Sequence, residues 1–112
     1  MKSTIVSTDY TVIIGCGRLG AGIANSLSDK GQDVLVTDCD PGAFRKLSPA
    51  FGGLTKVGDA TDTNVLMALD ICKASAVIIV TDNDYINILV AQLIKVLAPK
   101  APVIIRLYNP DY

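Results

Sequence analysis

The chain has 112 residues, ten lysines and arginines against eleven acids, a formal net charge of −1, and half of its residues hydrophobic. That length suits one domain, residues 1–112, and not two. The near-neutral balance argues against nucleic acid as the main partner, because a phosphate-tracking surface needs a basic excess, and the absence of histidine removes the commonest general base and metal ligand.

Taken in chain order, residues 11–14 read as a first strand, rich in β-branched side chains and closed by Gly15. Residues 19–29 read as a helix with Ala21, Gly22 and Ala24 as small residues on one side, stopped by Gly31. Residues 34–37 form the second strand. Asp40-Pro41 starts a short helix, with aspartate as N-cap and proline at the first helical position, ending near Pro49. Residues 54–57 are a third, weaker strand. Thr61-Asp62 caps a helix carrying Val65, Leu66 and Leu69. Residues 76–80 are apolar throughout, as expected of a strand buried on both faces.

Asp82 or Asp84 then caps the longest helix. Its apolar positions Ile86, Leu89, Val90, Leu93, Ile94 and Leu97 keep a three/four spacing, and Pro99 and Pro102 end it. Residues 103–107 are the fifth strand, and Asn109-Pro110 reads as one more helix start. Strand and helix alternate throughout, so the expected class is α/β, a Rossmann-type doubly wound parallel sheet with helices on both faces. Right-handed crossovers give it strand order 3-2-1-4-5.

Cys16, Cys39 and Cys72 are odd in number and widely spaced. Neither a zinc site nor a disulfide framework is expected, and a reduced, cytosolic setting is the simpler reading. No apolar stretch reaches the roughly 20 residues that span a bilayer, and the first ten residues lack a secretory apolar region. The chain is therefore expected to be soluble, meeting a membrane only through a partner.

Gly15-Cys16-Gly17-Arg18-Leu19-Gly20 is a G-x-G-x-x-G string. Its place between a strand and a helix makes it informative. Gly15 permits the tight turn, Gly17 lets a pyrophosphate approach the backbone, and Gly20 lets the helix pack close to the strand. The amides and dipole of the helix start favour an anion. Arg18 stands beside the expected phosphates, though a solvated role at the helix start is its alternative. Asp38 ends the second strand at the spacing expected of a ribose-binding acid, and its charge disfavours NADP. Asp40 competes for that role but is already engaged as an N-cap. Cys16 and Leu19 belong to the turn, and Cys39 adjoins Asp38. Asp59 and Thr81-Asp82 follow the third and fourth strands at their carboxyl ends, where ligands of such sheets bind; helix capping is the alternative for both acids, and more so for Asp82. No catalytic residue and no metal ligand is expected.

The runs TVIIGCGRLGAGIANSLSDKGQDVLVTDCDPGAFRKL, VGDATDTNVLMALDI, AVIIVTDNDYINILVAQLIK and PVIIRLYNPDY together resemble the TrkA N-terminal domain family, also called RCK, regulator of conductance of potassium. The likeness runs from about Thr11 to Tyr112. Its more specific elements are Arg18, the GDAT run at 58–61 and TDND-x-x-N from Thr81 to Asn87. The resemblance implies a cytosolic regulatory subunit or domain of a potassium uptake system. It implies NAD(H) or ATP/ADP in the cleft, a homodimer or higher ring, and a membrane-embedded potassium-conducting partner. By the same likeness Gly15, Gly17, Arg18 and Gly20 hold phosphates, Asp38 holds ribose, and Asp59 and Ala60 border the adenine. The arginine matching Arg18 reaches a neighbouring subunit's triphosphate. Such families continue with a further helix and strand and often a C-terminal ligand domain, so this chain is expected to lack that part.

The competing reading is the NAD-binding domain of a dehydrogenase whose catalytic part lies outside this chain. The residues themselves do not choose between ATP/ADP and NAD/NADH. An enzyme must place a proton donor and a substrate beside the nicotinamide. With no histidine and no Tyr-x-x-x-Lys pair, a non-enzymatic, ligand-sensing role is expected.

Overall fold

The structure is a computed structural model that describes residues 10–109. Five strands, β1 (Tyr10–Ile14), β2 (Asp33–Asp38), β3 (Leu54–Val57), β4 (Ala76–Ile79) and β5 (Val103–Ile105), form one sheet in the order β3-β2-β1-β4-β5. Every pairing is parallel, as the sequence order of strands and helices requires. The helices are α1 (Arg18–Asp29), α2 (Thr63–Ala68) and α3 (Asp84–Leu97), with 3-10 helices at Pro41–Lys46 and Ile71–Lys73.

Strand periodicity divides the core into two layers. Val12 and Ile14 of β1 join Leu35, Leu66, Val77, Val90 and Ile94 under α2 and α3. Ile13, between them, joins Val34, Val36, Ala21, Ala24 and Ala43 under α1 and the Pro41–Lys46 helix. Each fully buried Ile or Leu side chain contributes roughly 1.5–3 kcal/mol relative to exposure. β1 at the sheet centre therefore anchors both layers. On α1, Gly20, Ala21 and Ala24 are the buried residues, so Ala21 and Ala24 of the expected small side lie against the sheet, whereas Gly22 is exposed on the side of the helix that carries Arg18 and Leu19.

Several local expectations are corrected. The N-cap of α3 is Asn83, whose side chain accepts from Ile86 N–H at 3.1 Å; neither Asp82 nor Asp84 takes that place. Asp84 sits in the first turn and accepts instead from Tyr108 N–H at 2.8 Å and Asn109 N–H at 2.7 Å. The buried line of α3 is Asn87, Val90 and Ile94, while Ile86 and Leu89 are exposed. The helix is thus turned from its expected phase because Asn87, a polar residue, is drawn inward by its hydrogen bonds.

The fifth strand ends at Ile105 rather than 107. Arg106 N–H still donates to Ile79 O, but Arg106 O accepts from Asn87 Nδ2 at 2.9 Å and the Tyr108 and Asn109 amides turn to Asp84. The helix after Asp40 is a 3-10 helix of six residues, capped by Asp40 as expected. Asp62 alone caps α2, because Thr61 is held by Asp59. The helix start at Asn109-Pro110 runs beyond the described residues.

Candidate functional site

β1 delivers the chain to Gly15, which turns at φ +105°, a left-handed conformation that favours glycine. A Cβ there would meet the Val80 carbonyl and Thr81 N at under 3 Å. A Cβ on Gly20 would lie 1.9 Å from Gly15 O, so the first turn of α1 rests directly on the glycine turn. Gly17 has open space around its Cβ position. It is also the N-cap of α1, and no side chain caps the first amides of that helix. The chain therefore leaves donors of a helix N-terminus without an internal side-chain partner, the arrangement that favours an anion.

Asp38, at the end of β2, braces this turn. Its Oδ2 accepts from Cys16 N–H at 2.8 Å and its Oδ1 from Asp40 N–H at 2.9 Å. A carboxylate offers about four lone-pair sites, so two remain after these bonds. The Cys16 thiol is fully buried. Burial and then the Asp38 charge push its pKa up, opposed by the charge of Lys46; this is a packed thiol and not an activated one. Asp59 accepts from Thr61 N–H at 2.9 Å and from Thr61 Oγ1 at 2.7 Å. Those bonds hold its carboxyl below the usual carboxylate range.

A cleft of about 380 Å³ opens over the carboxyl ends of β1 to β4, within the size range of small-molecule sites. Gly15, Cys16, Gly17, Asp38, Cys39, Asp59, Ala60, Thr81 and Asp82 line it together. Arg18 and Leu19 do not. They open onto a separate groove of about 320 Å³ on the outer face of α1, beside Gly22 and Ile23. Gly20 is buried beneath the turn. Thr81 faces the cleft but is largely committed: its N–H and hydroxyl meet Asn87 Oδ1, and its carbonyl accepts from Asn87 Nδ2 at 3.1 Å.

Sequence reasoning did not place Asp40, Ala43, Lys46 or Ile86 in the cleft, and all four line it. The spacing of 40, 43 and 46 was the available signal. On a 3-10 helix, residues three apart eclipse one another, so Ala43 and Lys46 follow Asp40 along one side. The lining residues then include four acids, Asp38, Asp40, Asp59 and Asp82, and the cation Lys46. Among the described residues no group of three or more Cys or Asp side chains is placed to hold a metal ion, and no helix is long and apolar enough to cross a membrane. The arrangement is suited to hold a ligand with an anionic end at the glycine turn and hydroxyls near Asp38.

Comparison with known proteins agrees with this fold. A Trk system potassium uptake protein TrkA from Streptomyces coelicolor is 36% identical over 101 residues, covering 90% of this chain. The chain spans 45% of that relative's length. The NAD(P)-binding domain of an exopolyphosphatase-related protein from Archaeoglobus fulgidus superposes with a TM-score of 0.78 at 25% identity, over 90% of this chain and 74% of that one. The GsuK RCK domain gives a TM-score of 0.79 at 24% identity over 97% of this chain and 23% of that one, a likeness of fold. The model of the TrkA-N domain matches residues 11–112, and the chain belongs to the TrkA-N domain family.

Proposed function

We propose that this chain is the cytosolic nucleotide-binding module of a potassium uptake system, taking NAD(H) or ATP/ADP in its cleft and thereby regulating a membrane-embedded potassium transporter. The observation that carries the reading is the glycine turn, with uncapped helix amides at Gly17, opening into a cleft beside Asp38. Kinship with potassium uptake proteins supports the transport setting. Gly15, Cys16 and Gly17 form the phosphate end, Gly20 supports the turn from beneath, and Arg18 and Leu19 open onto the outer groove. Asp38 and Cys39 form the ribose side, Asp59 and Ala60 border the adenine, and Thr81 and Asp82 approach the nucleotide from the end of β4. The Asp38 carboxylate disfavours a 2′-phosphate.

In this reading the module works as a homodimer or ring, and two nucleotides shift its shape only by their different affinities for two states. Arg18 is exposed and opens away from its own cleft, a placement suited to reaching a neighbouring subunit's phosphates. In the full-length assembled protein, Arg18→Ala is expected to weaken ATP about tenfold more than ADP, the scale of one charge-assisted hydrogen bond. Competitive titration of both ligands checks this, and equal losses would remove Arg18 from the neighbouring subunit's phosphates.

A further inference from the structure

Among the described residues Lys46 is the one cation that lines the cleft, whose acidic residues are Asp38, Asp40, Asp59 and Asp82. With Arg18 turned to the outer groove, an anionic ligand entering a single subunit meets four negative charges and this one positive charge. Lys46 ends the 3-10 helix that follows β2. It lies one 3-10 turn beyond Ala43, which packs in the same layer as Cys16 and also lines the cleft. No salt bridge engages its ammonium among the described residues. Lys46 lines the same cleft as Gly15 and Gly17 of the glycine turn, and its charge opposes the rise in the Cys16 thiol pKa. At the ribose end, Asp38 is fixed by the Cys16 and Asp40 amides.

Resting on the nucleotide reading above, we infer that Lys46 is a ligand-binding residue that holds the 5′-phosphate chain of the nucleotide. Its long flexible stem lets the ammonium act as a point charge and follow a monophosphate or a diphosphate. The cleft would thus secure an anion within one subunit, leaving Arg18 free for contacts between subunits.

The test is calorimetric titration of the wild-type chain and of the Lys46→Gln and Lys46→Arg variants with adenosine, 5′-AMP, ADP and 2′-AMP, at two salt concentrations. Lys46 is exposed, and circular dichroism checks that each variant keeps its fold. Lys46→Gln is expected to weaken 5′-AMP and ADP about tenfold, to leave adenosine and 2′-AMP within about twofold, and to flatten the salt dependence. Lys46→Arg is expected to recover most of the loss. An equal loss for adenosine, a loss confined to 2′-AMP, or no loss at all would overturn the assignment. If the wild type binds these ligands and Lys46→Gln matches it, only the role of Lys46 falls. If the wild type binds none of them, the nucleotide reading falls with it.

Discussion

Asn87→Leu is expected to destabilise the fold by about 3 kcal/mol, with a melting temperature lower by roughly 15 °C. Asn87 is fully buried and its amide joins three segments. Its Oδ1 accepts from Thr81 N–H and the Thr81 hydroxyl, and its Nδ2 donates to Thr81 O at 3.1 Å and Arg106 O at 2.9 Å. Leucine restores bulk but leaves the Thr81 amide and the Arg106 carbonyl without these partners. An unsatisfied buried polar group costs roughly 1–3 kcal/mol. Asn87→Asp separates volume from donation: its carboxylate would still accept from Thr81 N–H but would face the two carbonyls. It is expected to be nearly as costly. Urea unfolding checks both variants, and a loss below about 1 kcal/mol for Asn87→Leu would show that the clamp is dispensable.

The second large effect separates two glycines of one motif. Gly20→Ala would place a methyl 1.9 Å from Gly15 O, a backbone atom that cannot rotate aside. Helix and turn must separate, at an expected cost of about 3 kcal/mol, and the cleft should lose ligand along with stability. Gly17→Ala meets nothing within 4 Å at a φ of −78°, which any L-residue adopts. Its stability should stay within about 1 kcal/mol of the wild type. Nucleotide affinity should nevertheless fall at least about tenfold, because the methyl would stand where the phosphate approaches. Paired thermal melts and titrations decide the matter. Unchanged affinity in a folded Gly17→Ala protein would mean that the ligand does not sit on this turn.

The strand order was legible because it depends on features that sequence displays directly. Short apolar β-branched runs alternate with helical patterns, and handedness then leaves few topologies. The glycine turn and Asp38 were legible for the same reason, since turn chemistry and spacing are local. The cap of α3 was not. Thr81, Asp82, Asn83 and Asp84 are four consecutive residues able to cap. The choice of Asn83 goes with distant partners: Thr81 is bound by Asn87, and Asp84 is bound to the amides of Tyr108 and Asn109. The phase of α3 was hidden similarly, because apolar periodicity gives no weight to an inward asparagine. Arg18 and Lys46 exchanged places with respect to the cleft for a geometric reason. Arg18 is the first residue of α1 and opens outward with Leu19, whereas Lys46 is brought inward by three-residue repeats that only a 3-10 helix produces.

Nucleotide binding itself is tested most directly by calorimetric titration of the protein, freed of any co-purified nucleotide, with ATP, ADP, NAD, NADH and NADPH. Saturable binding of an adenine nucleotide or NAD(H), with NADPH at least about tenfold weaker because Asp38 repels its 2′-phosphate, is the expected result. Binding of none of the five would contradict the central claim and leave the glycine turn as a packing device between β1 and α1.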